Sequence, residues 1–240
     1  MSRGSLRGRV PKTGSDSMGR WVYTTFAGKA GRTITVTGTY QVCAKDVKLA
    51  GPMKVCTQQY TLLEREKRQD SHKVRKHHAN DLITFVKQHQ ARGELVCVAG
   101  DFNETIGETN GGLTKLCSEC GLIDAIFEKH GCANTDFATY IRGSKCIDYF
   151  LIAPELEESV EASGYGPFNI RIISDHRGTC LDFNTALFFG SDTIPMAPIK
   201  TRDSSSKKIH HTATYFAKQH EHQDTPKLPH HHIIRTPRRL

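Results

Sequence analysis

Runs of alternating, periodic and continuous hydrophobic residues follow one another along this chain, and each predicts an element. Trp21–Phe26 and Thr33–Val42 are rich in β-branched and aromatic residues and flank Ala27-Gly28-Lys29-Ala30-Gly31, the pattern of two strands joined by a glycine-containing turn. Residues 43–60, broken by Gly51-Pro52, yield no assignment. Over 62–90, Val74, His78, Leu82, Phe85, Val86 and His89 recur at helical spacing while Lys and Arg fill the other side, which predicts one helix ended by Arg92-Gly93. The run Leu95-Val96-Cys97-Val98-Ala99 between Gly93 and Gly100 is continuous, as in a strand buried on both faces. A loop over 100–112, a helix over 113–128 and strands near 146–152, 158–164 and 178–184 complete the pattern. Helices and strands alternate irregularly, which predicts an α/β sandwich with mixed sheets and not a regular parallel barrel.

Composition changes this picture at the ends. Hydrophobic residues are 37% of 240 and the mean hydropathy is −0.47, a deficit that sits mainly in the terminal segments. Residues 1–20 read as a disordered basic lead-in, 21–190 as the folded domain, and 191–240 as a basic His-rich tail in which HTATYFAKQHEH forms at most one weak helix. The three histidines His230, His231 and His232 have no partners at metal-ligand spacing and read as part of that tail. Much of the net charge of +8 lies in the two ends, where it either lies against a polyanion or is simply solvated. The basic run Arg65 to His78 reads first as a solvated helix face. No apolar run is long enough to span a bilayer and the first residues lack a signal-peptide core, so the expectation is a soluble intracellular protein, the nucleus included, with no membrane partner. The eight cysteines are spread along the chain and several fall in apolar runs, which favours reduced, buried thiols. Cys117-x-x-Cys120 with His130 and Cys132 has zinc-like spacing, but Leu113, Leu116, Cys117 and Cys120 also form one apolar helix face, the simpler account.

Candidate chemistry collects where strands end. Gly100-Asp101-Phe102-Asn103 follows the buried strand, so Asp101 and Asn103, two residues apart, can face one phosphate; as turn residues they would instead satisfy backbone amides. Ser174-Asp175-His176 follows another apolar run. Asp148, in Cys146-Ile147-Asp148-Tyr149-Phe150-Leu151, is a charge at the start of an apolar strand and needs a partner if buried. An imidazole such as His176 suits it, because the carboxylate would fix the tautomer and favour the protonated ring.

The ordered set GDFN at 100–103, IDYFLI at 147–152 and SDHR at 174–177, preceded by a strand ending in Thr39-Tyr40, resembles the endonuclease/exonuclease/phosphatase superfamily over roughly Trp21 to Phe188. The superfamily includes apurinic endonucleases, DNase I and retrotransposon endonucleases, and the GRW and LCSECGLIDAI segments are similar to its retroelement-associated members. The resemblance implies a DNase I-like α/β sandwich of two mixed sheets flanked by helices, and phosphodiester hydrolysis of DNA with Mg²⁺ or Mn²⁺. It implies that Asp101 orients or deprotonates the attacking water, Asn103 holds a non-bridging oxygen, Asp148 orients His176, His176 stabilises phosphoryl charge, Asp175 is metal-associated and Tyr40 contacts phosphate. Asp101 would also lie at the metal. The family pattern begins with a strand bearing Asn and then a Glu that is the principal metal ligand. Residues 1–20 contain neither, so the expectation is a domain lacking its first strands, in which family membership and activity are separate questions. The other readings are a non-catalytic nucleic-acid-binding remnant and, last, a phosphatase acting on lipid or small phosphoesters.

Overall fold

The structure is a computed structural model that describes residues 8–43, 54–109, 111–131, 137–168 and 174–190. The chain divides into two units, Met1–Ile194 and Pro195–Leu240, and every described residue belongs to the first. The tail assigned to 191–240 and residues 1–7 lie outside the described residues.

Six strands form one mixed sheet. They are β1 (Lys12–Ser15), β2 (Trp21–Ala27), β3 (Thr33–Tyr40), β4 (Leu95–Asp101), β5 (Ile123–Asp124) and β6 (Asp148–Ile152), in the spatial order β1-β2-β3-β4-β6-β5. The expected hairpin is present, with Trp21 opposite Thr39 and Ala27 opposite Thr33. Only β3 and β4 run parallel; such a pair needs a crossover, and α1 (Val55–Arg65) and α2 (Val74–Gln90) provide it. After β4 come α3 (Gly112–Cys120) and α4 (Ala125–His130), and after β6 the antiparallel pair β7 (Val160–Tyr165) and β8 (Thr179–Phe183), then α5 (Thr185–Phe189).

Strand β4 is buried on both faces, as its continuous apolar run predicts. Val96 and Val98 pack with Leu82, Val86, Leu113 and Leu116 beneath α2 and α3. Cys97 faces the opposite way and packs with Ile34, Ile152, Leu156 and Phe188 towards β7, β8 and α5. The result is a helix layer, the six-stranded sheet, and a small second sheet that is one antiparallel pair among the described residues. Burial of each large aliphatic side chain in these layers stabilises the fold by roughly 1.5–3 kcal/mol.

Three local expectations change. The single helix over 62–90 is two helices: the chain turns between them with Lys67 and Asp70 at positive φ, and α1 begins at Val55, inside the segment that patterning left unassigned. The helix over 113–128 is interrupted at Gly121, whose φ of 61° caps α3; Ile123–Asp124 then pairs with β6, and the Asp124 carboxylate accepts from the Ile126 and Phe127 amides to start α4. Within the polar lead-in, β1 pairs with β2, and Asp16 begins a turn in which its backbone oxygen accepts from Gly19 N–H. The guanidinium of Arg20, only 4% exposed, bonds Asp16 at 2.7 Å and Asp81 of α2 at 2.9 Å and lies over the Trp21 ring. A charge pattern that reads as disorder is here a buried ion network.

That network has an acid limit. His78 is stacked on Trp21 and within 3.0 Å of the Thr39 hydroxyl. Burial first, then the Arg20 charge, lower its pKa to about 3. The unfolded chain therefore binds a proton that the folded chain refuses, so stability is lost as pH falls from about 6.5 towards 3. The urea midpoint is expected to drop over that interval and to drop less steeply in His78→Gln.

Candidate active site

Sheet topology alone brings the three sequence motifs together. The parallel pair β3 and β4 ends side by side with Tyr40 opposite Asp101, and the antiparallel β6 starts where β4 ends, with Asp101 opposite Asp148. Gly100 makes the close approach possible: at φ +155° a Cβ there would lie 1.9 Å from the Thr39 carbonyl oxygen. His176 arrives from the segment before β8 and is held by a bridge to Tyr140, with Ile141 N–H donating to Asp175 O and Arg177 N–H to Thr139 O, both at 2.8 Å. Ser174 Oγ accepts the His176 amide at 3.0 Å, so the serine supports the turn.

The expected dyad is formed. His176 Nδ1 lies 2.9 Å from Asp148 Oδ2, and Nε2 faces Asp101 Oδ2 at 3.9 Å, too far for a direct hydrogen bond. Asp101, Asp148 and His176 each offer a donor atom within 4.8 Å of the others. Burial, then the nearby Asp148 charge, push the Asp101 pKa up to about 6 against the amide of Asn103 and the charge of His176, which lower it. For His176, burial favours the neutral ring, but its hydrogen bond with Asp148 and the charges of Asp148, Asp101 and Asp175 outweigh this and raise its pKa. Tyr40 is 44% exposed, and burial of its ring with the charges of Cys43 and Asp101 raises its pKa, which keeps its hydroxyl a donor. Asp175 is exposed and lies outside the set of three convergent donors.

Asn103 adopts φ +48°, a conformation that asparagine tolerates better than most residues. Its backbone N–H donates to Asp101 Oδ1 at 2.9 Å, and its side-chain amide donates to Gln41 O at 2.7 Å and Asp101 Oδ2 at 3.1 Å. The turn reading of GDFN holds, with Asp101 accepting the Asn103 amide and the Asn103 side chain fixing the carboxylate.

Two supports escape sequence reasoning. Arg75, from the basic run read as a solvated face, is inserted behind this turn, bonding Glu104 at 2.8 Å and Asn103 O at 2.9 Å; the two charged side chains are 10% and 9% exposed. Glu104 also accepts the Leu113 amide, tying the turn to α3. The only signal was Glu104 directly following GDFN. Arg75→Ala leaves a buried carboxylate unpaired and is expected to cost about 3 kcal/mol, read by urea denaturation. The second support is Tyr165, whose hydroxyl donates to Asp148 O at 2.8 Å beside the buried Cys146 thiol.

Cys120 packs in the core with Leu113 and Leu116, as the apolar-face reading expects. Cys132 lies outside the described residues. No described helix is long and apolar enough to cross a membrane.

No family model matches the sequence, and no curated protein matches it. Solved structures do. The 3′ phosphatase NExo from Neisseria bound to a product DNA hairpin is 15% identical, with 72% of this chain and 70% of that chain covered and a TM-score of 0.47. An AP endonuclease from Archaeoglobus fulgidus is 15% identical over 72% of this chain and 70% of its own, with a TM-score of 0.46. The endonuclease domain of TRAS1, a telomere-specific non-LTR retrotransposon, is 13% identical over 72% and 67%, with a TM-score of 0.40. A further solved structure to which the chain is similar, from Leptotrichia buccalis C-1013-b, is an endonuclease/exonuclease/phosphatase family protein, 18% identical over 68% of this chain and 52% of its own, with a TM-score of 0.34.

Proposed function

We propose that the chain is a phosphodiester hydrolase of this superfamily, a DNA endonuclease domain of retroelement type. One observation carries the reading: an imidazole held by Asp148 points its other nitrogen across a 3.9 Å gap at a second carboxylate, that of Asp101. Asp101, titrating near 6, is suited to take a proton from the attacking water near neutral pH. His176, protonated through Asp148, donates from Nε2 to a phosphoryl oxygen as negative charge builds there. Tyr40 adds a hydroxyl donor. Asn103 keeps Asp101 in place, and its amide reaches a non-bridging oxygen by exchanging that hydrogen bond.

The residues fit a divalent cation in charge. Two carboxylates converge, and burial first, then the Asp148 charge, raises the Asp101 pKa. Asp148 Oδ1 makes no hydrogen bond among the described residues and is available as a ligand. Asp101 and Asp148 would hold Mg²⁺ or Mn²⁺, with the exposed Asp175 nearby as a further carboxylate. A bound cation supplies positive charge at the phosphoryl oxygens.

Supercoiled plasmid and an oligonucleotide duplex with one abasic site, each incubated with the full chain in Mg²⁺, Mn²⁺ or EDTA, test the proposal. Metal-dependent nicking is expected. DNA binding without nicking in either metal would favour the second reading, a non-catalytic nucleic-acid-binding remnant. That reading is supported by the absence of a glutamate from the convergent donor set of the described residues.

A further inference from the structure

A second cleft lies between the β1–β2 ribbon and α2, lined by Lys12, Tyr23, Phe85, Gln88, His89 and Arg92 among others, with a volume of about 420 Å³. That size suits a small organic ligand. Its wall is aromatic: the Phe85 ring is 4.3 Å from the His89 ring and 5.1 Å from Tyr23, and Tyr23 meets His89 at 5.3 Å.

His89 is a second carboxylate-held imidazole, at the opposite end of β3 and β4 from the first. Its Nδ1 lies 2.7 Å from Glu94, which also accepts from Thr35 at 2.6 Å and from Arg92 at 2.7 Å. Burial would raise the Glu94 pKa, but these three bonds bring it down to about 2, so Glu94 is ionised and fixes the proton on Nδ1. Burial lowers the His89 pKa despite Glu94, so the ring is neutral and Nε2 is a hydrogen-bond acceptor. The His89 side chain is 4% exposed and lines the cleft, and Nε2 has no hydrogen-bond partner among the described residues.

The charges of this cleft are sorted. Asp16 and Asp81, at its far end, are bonded by Arg20. Lys12 and Arg92 stand near enough to His89 that both of their charges oppose its protonation. Among the described residues the Lys12 ammonium meets only the Tyr23 ring, at 5.7 Å, and the exposed Arg92 engages Glu94 through Nε, with no partner at its terminal nitrogens. The ligand so described has a flat ring, an N–H donor on that ring and an anionic group.

We infer that this cleft binds a nucleoside monophosphate, free or as the 5′-phosphorylated end of a single strand, with the base on Tyr23 and Phe85, a base N–H on His89 Nε2 and the phosphate between Lys12 and Arg92. Ring stacking with cations alongside is a physical means of holding single-stranded nucleic acid. A phosphotyrosine side chain offers the ring and the anion but no ring donor for His89.

Trp21 is the sole tryptophan of the chain and lines the cleft, so its single indole N–H resonance reports occupancy. The full chain is titrated in EDTA with adenosine monophosphate, 5′-phosphorylated trideoxyadenylate, adenosine, inorganic phosphate and O-phosphotyrosine. The two nucleotides are expected to move the resonance saturably, the oligonucleotide more tightly if the occupant is a strand end and the free nucleotide at least as tightly if it is not. Adenosine binds weakly and phosphate does not. Lys12→Ala and Arg92→Ala, both at the rim and away from the core, each weaken nucleotide binding on the order of tenfold. His176→Ala leaves it unchanged, so the result is independent of the catalytic reading. No saturable shift with either nucleotide, an equal shift with O-phosphotyrosine, or full affinity in both rim variants would overturn the inference.

Discussion

Replacing His176 with alanine is expected to lower DNA nicking by on the order of 10² to 10³, the loss typical of one preorganised donor. The geometry makes the effect specific to the rate. His176 Nε2 stands off Asp101 at 3.9 Å and has no close partner on that side among the described residues, so its donation is realised as charge develops and not in the resting fold. The fall should therefore appear in kcat with KM nearly unchanged. Asp148→Asn should reproduce much of it, because the ring loses the group that holds its tautomer at 2.9 Å. Nicking by His176→Ala at the parent rate would place the chemistry elsewhere.

The second large effect is in the pH dependence. Asp101 must be ionised to accept a proton, so the rate should rise on the acid side and then level; its pKa of about 6 is that of the metal-free site, and a cation held by Asp101 would shift the limb to lower pH. His176 must be protonated to donate, and its pKa is raised above its ordinary 6.5, so the rate should fall again on the alkaline side. The profile is a bell whose acid limb belongs to Asp101. Asp101→Asn should remove that limb and cost on the order of 10² to 10⁴ in rate. The same residue carries an opposite stability effect. A carboxyl whose folded pKa exceeds its unfolded one favours the fold below about pH 4, and loses that advantage as pH rises through about 6. At pH 7 the ionised Asp101 weakens the fold, so Asp101→Asn should melt a few degrees higher while losing activity. A variant that loses activity and melts lower would point to damage in the Asn103 turn.

The parts of this architecture legible in the sequence are those set by local periodicity. The β2–β3 hairpin and the doubly buried β4 follow from runs whose pattern is continuous over several residues. The breaks were not legible, because each depends on one backbone conformation: Lys67 and Asp70 at positive φ between α1 and α2, and Gly121 after α3. At the candidate site, Asp101, Asp148 and His176 could be singled out because each stands at one end of an apolar run. Arg75 and Glu104 could not, since their pairing joins residues 29 apart through the packing of α2 against the β4 turn. The order of β1 was hidden by composition, for a guanidinium enclosed by two carboxylates and an indole has the same sequence signature as a solvated one.

Gly100 presents a different problem to anyone scanning this domain by substitution. It carries no functional group and would touch no phosphate, yet any side chain would be driven into the Thr39 carbonyl and push apart the strand ends that bring Tyr40 to Asp101. Serine or alanine there should silence the protein as thoroughly as loss of a reacting group, although every reacting group is still present. A loss-of-activity map would thus assign chemistry to a position whose whole contribution is the room it leaves.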